Sequence, residues 1–508
     1  MRRHVTRTLA AAALAIGAFA VAAPLSVPAL AADVLRIGRD EDSTTLDPIK
    51  TTQNVDIWVI NNVHAFLVRS NREGNDIEAD LAESWTVSDD KLTFTFKLRE
   101  AKFSDGSPVT VGDVVFSLTR LRDNEESTQR SLFQVMESIE AIDDRHVAVT
   151  LSQPSAAFLS TLAMYAASIL PESAVTNLGD DFGAQPVSAG AYRVAEWRRG
   201  EYLALEPNPH YYGGNQSKVD RVEWHVVPDD NTRVLQVQAG ELEVALGVPF
   251  SMLPSIERDP NIQVHLDPST REDSLLLNHE NKLLANRDVR LAVDMAINEQ
   301  AIVQVVTFGR GEVANSLVPK GTLYYHAANK NHPNDVATAA KLIEDAGFKG
   351  ETLEFVVPAG NEVREQTAII VQEQLKAIGL DVDIRKVDPG QVWSTFVDGD
   401  YDLSMAYWTY DILDPDQKVA FSVSADDNKS YFTRYENPEV TKLVNEARTE
   451  LDAEKRRDLY YRIQEKVKED VHWVDLYYSP FSNITRKGVS GFYQNPMGVI
   501  PLQEISIN

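Results

Sequence analysis

Leu81-Ala82-Glu83-Ser84-Trp85, Leu92-Thr93-Phe94-Thr95-Phe96-Lys97-Leu98-Arg99, Phe103-Ser104-Asp105-Gly106-Ser107-Pro108-Val109-Thr110 and Asp113-Val114-Val115-Phe116-Ser117 follow one another between residues 81 and 121. Leu92 to Leu98 alternates apolar and polar residues and is rich in β-formers, which predicts a half-buried strand. Asp105-Gly106-Ser107-Pro108 predicts a turn, since Gly and Pro there favour turn geometry. A helix is expected to start near Thr110, with Val114, Val115, Leu118 and Leu121 along one side.

On the N-terminal side, Val34-Leu35-Arg36-Ile37-Gly38 reads as a strand, followed by polar turn formers from Asp40 to Thr45, Ser43 among them, and then Leu46-Asp47-Pro48. On the C-terminal side His146 to Leu151 alternates again. Ala191 to Trp197 and Tyr202 to Glu206 flank Arg199-Gly200 as a hairpin. Val219 to Val227 is a further strand, and Asn231 to Ala239 a helix closed by Gly240. From Leu275 onward, helical spacing alternates with β-type runs. Asp288 to Phe308 reads as one helix. Val336 to Ala346 and Val363 to Ile378 end at Gly347 and Gly379, and Leu353 to Val357 and Val382 to Val387 read as strands. This alternation predicts a mixed or parallel sheet with flanking helices. Two charged amphipathic helices follow, near Pro438 to Leu451 and Ala453 to Lys468. No 20–50-residue repeat and no Pro/Ser/Gly linker interrupts the chain, so lobes woven from discontinuous segments are expected.

The 508 residues exceed one ordinary domain, and 43 % hydrophobic with 25 % charged residues is globular composition. Arg2, Arg3 and Arg7 precede a 13-residue apolar run, Leu9 to Val21, and then Ala29-Leu30-Ala31. That is a cleavable export signal over residues 1–32, too short for the roughly 20 residues of a membrane span. Cysteine is absent, which excludes disulfides, thiol nucleophiles, thiolate metal sites and a lipid anchor on an N-terminal cysteine. The formal charge of −27 becomes three units more negative once the leader's arginines are gone. Such a surface repels phosphate backbones and anionic headgroups, so nucleic-acid binding and membrane insertion are not expected, and a monomer is.

No G-x-S-x-G, H-E-x-x-H, G-x-G-x-x-G or phosphate-loop motif occurs. Gly309-Arg310-Gly311 reads as the end of a helix. His326 and His332 lie in a polar loop without further ligands nearby in sequence, so no metal site is expected. No catalytic residue and no cofactor are assigned. One segment is unusual in composition. Tyr401 to Tyr435 holds eight aromatics in 35 positions against 8 % overall, with Tyr407-Trp408-Thr409-Tyr410-Asp411 and Asp414-Pro415-Asp416 inside it. Rings and a buried carboxylate suit a polar or cationic ligand. Equally, the rings fit a core and the aspartates caps or turns. Composition leaves both readings open.

The stretch quoted first resembles the hallmark of the peptide, nickel and opine class of bacterial extracytoplasmic solute-binding proteins, family 5, and is slightly shorter than usual at Glu100-Ala101-Lys102. Thr45-Leu46-Asp47-Pro48, Ser188-Ala189-Gly190-Ala191-Tyr192, Glu206-Pro207-Asn208-Pro209-His210-Tyr211-Tyr212, Asn286-Arg287-Asp288-Val289-Arg290 and Ala340 to Gly347 resemble further family motifs. The resemblance implies an α/β, three-lobed periplasmic binding protein: two mixed α/β lobes with a hinge, plus an extra α+β lobe. Lobe I would comprise 33–66, 186–274 and 481–508, lobe II 67–185, and lobe III 275–480. It implies ligand capture by hinge closure in the periplasm and delivery to an inner-membrane ABC permease with two ATPase subunits. Asp411, three residues after Trp408, matches the spacing of the family's acid for a ligand ammonium. Trp408, Tyr410, Tyr407 and Ser43 are the other ligand-binding candidates. Dipeptide-type relatives carry an arginine near Val356 for the peptide carboxylate. Here the stretch reads Val356-Val357-Pro358-Ala359-Gly360-Asn361, and the nearest arginine is Arg364 on the following helix. A peptide or amine-bearing solute, an opine and a sugar derivative are all admissible, and a periplasmic enzyme is the remote alternative.

Overall fold

Thr93–Leu98 is the second strand of a four-stranded antiparallel sheet, between Ala82–Val87 and His146–Leu151, with Met136–Ala141 at the far edge. The computed structural model describes residues 33–508 except 215, 349, 426 and 427. The expected export signal lies outside the described residues. In the turn, Gly106 takes a φ of +88° and Asp105 Oδ1 accepts from Ser107 N at 2.9 Å. Helix Val111–Asp123 is closed at its start by a capping box between Thr110 and Asp113. Its buried stripe is Val114, Ser117, Leu118 and Leu121. Ser117 replaces the expected Val115 there, because its hydroxyl donates to Asp113 O and accepts from Leu170 N.

A seven-stranded sheet carries Val34–Arg39 in its middle, parallel to Arg221–Val226 and Val244–Ala245. Tyr192–Arg198 and Tyr202–Pro207 pair as the expected hairpin. Helix Asp230–Ala239 ends at Gly240, whose φ of +82° is the left-handed conformation that glycine tolerates. The four- and seven-stranded sheets share one continuous core, which holds Phe94 and Phe96 of the one and Leu35 and Ile37 of the other.

The third sheet has six strands in the order Glu312–Val313, Trp473–Tyr478, Glu272–Leu277, Leu403–Trp408, Thr352–Pro358, Asp381–Val387. Thr352–Pro358 is parallel to both its neighbours, and the remaining pairs are antiparallel, so the sheet is mixed. Side chains alternate between two cores. Leu275, Leu277, Leu403, Met405, Phe355 and Val357 face one, which includes helix Glu362–Lys376. Leu276, Ala406 and Val356 face the other, which includes Phe396 of helix Val392–Asp398. The run read as one helix from Asp288 to Phe308 is two, Arg287–Ala296 and Glu299–Val306. Asn298 caps the second through Ala301 N, and Asn334 donates to Ile297 O across the break.

Two crossings join the six- and seven-stranded sheets. One runs from Ile262–Asp267 to Glu272–Leu277, the other from Trp473–Tyr478 to Phe481–Arg486, and the strands pair antiparallel on both sides. Among the described residues no helix is long and apolar enough to cross a membrane.

Candidate ligand-binding site

Strand order directs attention to one edge of the six-stranded sheet. Thr352–Pro358 is followed by a helix on one face and then by Asp381–Val387 on one side. The chain returns through helix Val392–Asp398 on the opposite face to Leu403–Trp408 on the other side. Connections that diverge to opposite faces leave a crevice outside the carboxyl ends of the two strands, the usual ligand position in such sheets. The residues at that edge are Tyr407, Trp408, Arg271 and Arg364.

Tyr407 and Trp408 point to opposite faces. Arg271 places its guanidinium 4.0 Å from the Tyr407 ring centroid while forming a two-pronged ion pair with Asp273 at 2.7 and 2.8 Å. Arg364 approaches the same ring at 5.7 Å. Its guanidinium has no hydrogen-bond or ion-pair partner among the described residues. Trp408 stacks on Phe421 at 5.7 Å and meets Tyr431 edge-on at 5.3 Å. Behind it, Lys418 and Glu272 form a buried ion pair at 2.9 Å, and Ser274 donates to the other Glu272 oxygen. Burial pushes the Glu272 carboxyl upward, opposed by Lys418. The Trp408 Nε1 and Thr409 Oγ1 atoms are buried without a hydrogen-bond partner among the described residues.

Beyond Trp408 the chain leaves its own sheet. Thr270, in the first crossing, accepts from Tyr410 N at 2.8 Å and donates through its hydroxyl to Pro496 O. Ile412 is buried in the core shared by the other two sheets. Between them, Asp411 borders a cavity of about 210 Å3 whose walls include Ile57, Asn61, Ala163 and Tyr165. This is below the roughly 300–1,000 Å3 that encloses a drug-sized ligand. Asp411 Oδ2 accepts from Gln417 Nε2 at 2.9 Å. No cation pairs with Asp411 among the described residues. Burial pushes its carboxyl up to about 7, opposed only by the Gln417 bond.

The family model described as bacterial extracellular solute-binding proteins, family 5 (middle), matches residues 76–430. The chain is a family 5 bacterial extracellular solute-binding protein. Over 93 % of its length it is 31 % identical to a probable D,D-dipeptide-binding periplasmic protein of Escherichia coli strain K12, covering 94 % of that protein. It is 28 % identical, over 95 % of each chain, to a glutathione-binding protein of Pectobacterium atrosepticum. Among solved structures it superposes with TM-score 0.86 on the Helicobacter pylori periplasmic binding protein DppA in complex with the peptide STSA (25 % identity; 93 % of this chain, 98 % of that one). With TM-score 0.84 it superposes on a binding protein from A. tumefaciens R10 in complex with agropinic acid (27 % identity; 94 % and 99 %). The fold is that of these periplasmic binding proteins, and the family is one of binding proteins rather than enzymes.

Of the five candidates, Tyr407 and Trp408 stand on opposite faces at the carboxyl end of their strand, Asp411 borders the cavity, whose walls include neither ring, and the other two lie in the interior. Tyr410 is 2 % exposed and part of the packed interior. Ser43 is 3 % exposed. Its hydroxyl accepts from Arg39 Nη1 at 2.9 Å and donates to Val55 O at 3.0 Å, so it ties a buried loop together. Sequence reading did not single out Gln417 or Gln129, since glutamine carries no motif of its own. His326 pairs with Glu465 and His332 with Asp294, each separately. Gly309-Arg310-Gly311 follows the helix that ends at Val306, and Gly309 takes a φ of +72°.

Proposed function

We propose that this protein captures a peptide or another amine-bearing solute in the periplasm, encloses it by rotation about the two crossings, and presents it to an ABC permease driven by two ATPase subunits. The observation that carries the reading is Asp411: a half-buried carboxylate beside a cavity that the described residues leave without a cation. Transferring a charge from water is costly unless a partner offsets it, and a ligand ammonium is such a partner. The lobes proposed are 33–66 with 186–274 and 481–508, then 67–185, and 275–480. The shared core of the first two favours their moving as one body against the third. Ligand contacts with both sides favour the closed arrangement, and only the difference in affinity between open and closed moves the population. Export by a cleaved leader and a monomeric state belong to the same proposal, and no chemical step is assigned to the site.

A narrower reading, an acidic opine or a peptide with a free carboxylate, is favoured by Arg364, the unpaired guanidinium beside Tyr407. The relatives named for dipeptide and glutathione, and the structures holding STSA and agropinic acid, are consistent with either.

The test is a thermal-shift screen of ligand-stripped protein against free peptides, opines, neutral oligosaccharides and nickel salts. A ligand at about 100 times its Kd adds about 2.7 kcal/mol of stability. Shifts from amine-bearing compounds that vanish in Asp411→Asn are expected. Shifts from neutral sugars that persist in Asp411→Asn would sink the amine reading.

A further inference from the structure

Gln417 Nε2 lies 2.9 Å from Asp411 Oδ2 and 3.4 Å from Gln129 Oε1. One nitrogen therefore touches acceptors from two parts of the chain, the segment after the six-stranded sheet and the body built on the four-stranded sheet. The orientation of the Gln129 amide is set from behind. Tyr165 donates its hydroxyl proton to Thr51 O at 2.9 Å, so its oxygen must accept from Gln129 Nε2, at 3.0 Å. That leaves the Gln129 carbonyl oxygen facing Gln417 Nε2, the same nitrogen that Asp411 Oδ2 accepts from. Gln129, Gln417, Tyr165 and Thr51 are all buried, at 3 %, 1 %, 2 % and 2 % exposure. A misplaced polar group here would be costly, which keeps the chain of bonds in one arrangement.

We infer that the Gln417 amide nitrogen is a built-in stand-in for the ligand's nitrogen, and that Gln129 is the second acceptor the ligand finds when it displaces Gln417, making the site selective for a primary ammonium. This rests on the amine reading of Asp411 and specifies it. A primary ammonium carries three N–H donors, and Asp411 Oδ1, Asp411 Oδ2 and Gln129 Oε1 are three acceptors. A trimethylated nitrogen has no donor and sets methyl groups where the oxygens stand. An acetylated nitrogen has one donor and no charge. Both leave buried acceptors unmatched, the situation in which polar sites discriminate most strongly. The inference also gives the four-stranded-sheet body a direct part in reading the ligand.

The experiment uses the mature, ligand-stripped protein and three equimolar tripeptide libraries: free at the N-terminus, N-trimethylated, and N-acetylated. Affinities are measured calorimetrically on wild type, Gln129→Leu, Gln417→Leu and Asp411→Asn, each first shown by circular dichroism to be folded. Wild type is expected to prefer the free library by about 100-fold or more. Gln129→Leu is expected to lose about tenfold on the free library and to narrow that preference, while Gln417→Leu binds the free library at least as well as wild type. Should Gln129→Leu not fold, Gln129→Met, close in length, replaces it. An unchanged preference in the Gln129 variant, or loss of binding in Gln417→Leu, overturns the inference while Asp411→Asn still abolishes binding. No binding of free peptides by wild type, or full binding by Asp411→Asn, overturns the amine reading beneath it.

Discussion

Asp411 and Asp414 stand three residues apart on one loop, the first half-buried and the second buried, and the chain treats them oppositely. Asp414 receives both prongs of Arg456, at 2.5 and 2.8 Å, and caps Asp416 N at 2.9 Å. Arg456 in turn lies 5.1 Å from the Tyr460 ring and 5.5 Å from that of Tyr324. Asp411 receives one neutral amide and no cation among the described residues. A carboxylate that the fold neutralises is part of the fold. One left with a neutral donor beside a cavity is, in the proposed reading, kept for the ligand. The rings of the same segment differ as well: Tyr401, Tyr410, Phe421, Phe432 and Tyr435 are buried, whereas Tyr407, Trp408 and Tyr431 are half-buried. Composition could not choose between core and binding surface because the segment holds both buried and half-buried rings.

The contrast breaks most visibly at Asp414. Asp414→Ala strands the Arg456 charge in the interior and is expected to cost about 3–5 kcal/mol of stability. Urea denaturation measures this, with ligand affinity changed far less than stability. Asp411→Asn is expected to do the reverse. Its folded value of about 7 exceeds the unfolded one, so the protonated group contributes stability that is fully present below about pH 4 and lost as pH rises through 7. The amide cannot ionise, so above pH 7 the variant should be more stable than wild type, by roughly 2–4 kcal/mol at most. Equal melting of the two proteins at pH 8 would remove Asp411's special standing.

The same linkage acts on binding. An ammonium ligand needs the ionised acid, so its affinity should fall about tenfold per pH unit below pH 7, and titration calorimetry from pH 5 to 8 reads the slope. Arg364→Ala should weaken a ligand with a free carboxylate by about tenfold, and its amide analogue hardly at all, since one charge-assisted contact is worth about 1.5–3 kcal/mol before screening. Stability should stay within about 0.5 kcal/mol, as for a surface change. The smallest effect belongs to Ser43→Ala. It removes two hydrogen bonds in the buried loop and should cost about 1 kcal/mol of stability, leaving affinity unchanged. A large loss of affinity there would return Ser43 to the ligand.

Local signals carried much of the fold. The strand at Thr93–Leu98, the turn at Gly106, the cap at Thr110 and the left-handed Gly240 are each written in a few adjacent residues. The break at Ile297-Asn298 was hidden because both helices present apolar residues to one core, so the periodicity runs on across it. Asn298 was the available signal. The crevice was legible only in part. Asp411 and Trp408 came from the family resemblance, whereas Arg364 meets Tyr407, and Gln129 and Gln417 meet near Asp411, only through the fold. Gln129 and Gln417 lie 288 residues apart, a separation no periodicity bridges. Nor does Ile412 announce that it is packed in the core of the opposite body.

The paired crossings have a mechanical consequence. Ser269 donates to Ser479 O, binding one strap to the other, and Thr270 fastens Tyr410 on one side and Pro496 on the other. Two knuckles on one pin let a door swing and prevent it from sliding or tilting. In the proposed closure the stroke would be a single angle, and because Thr270 sits on the pin while holding the backbone next to Asp411, a turn of that angle would reach the proposed anchor itself.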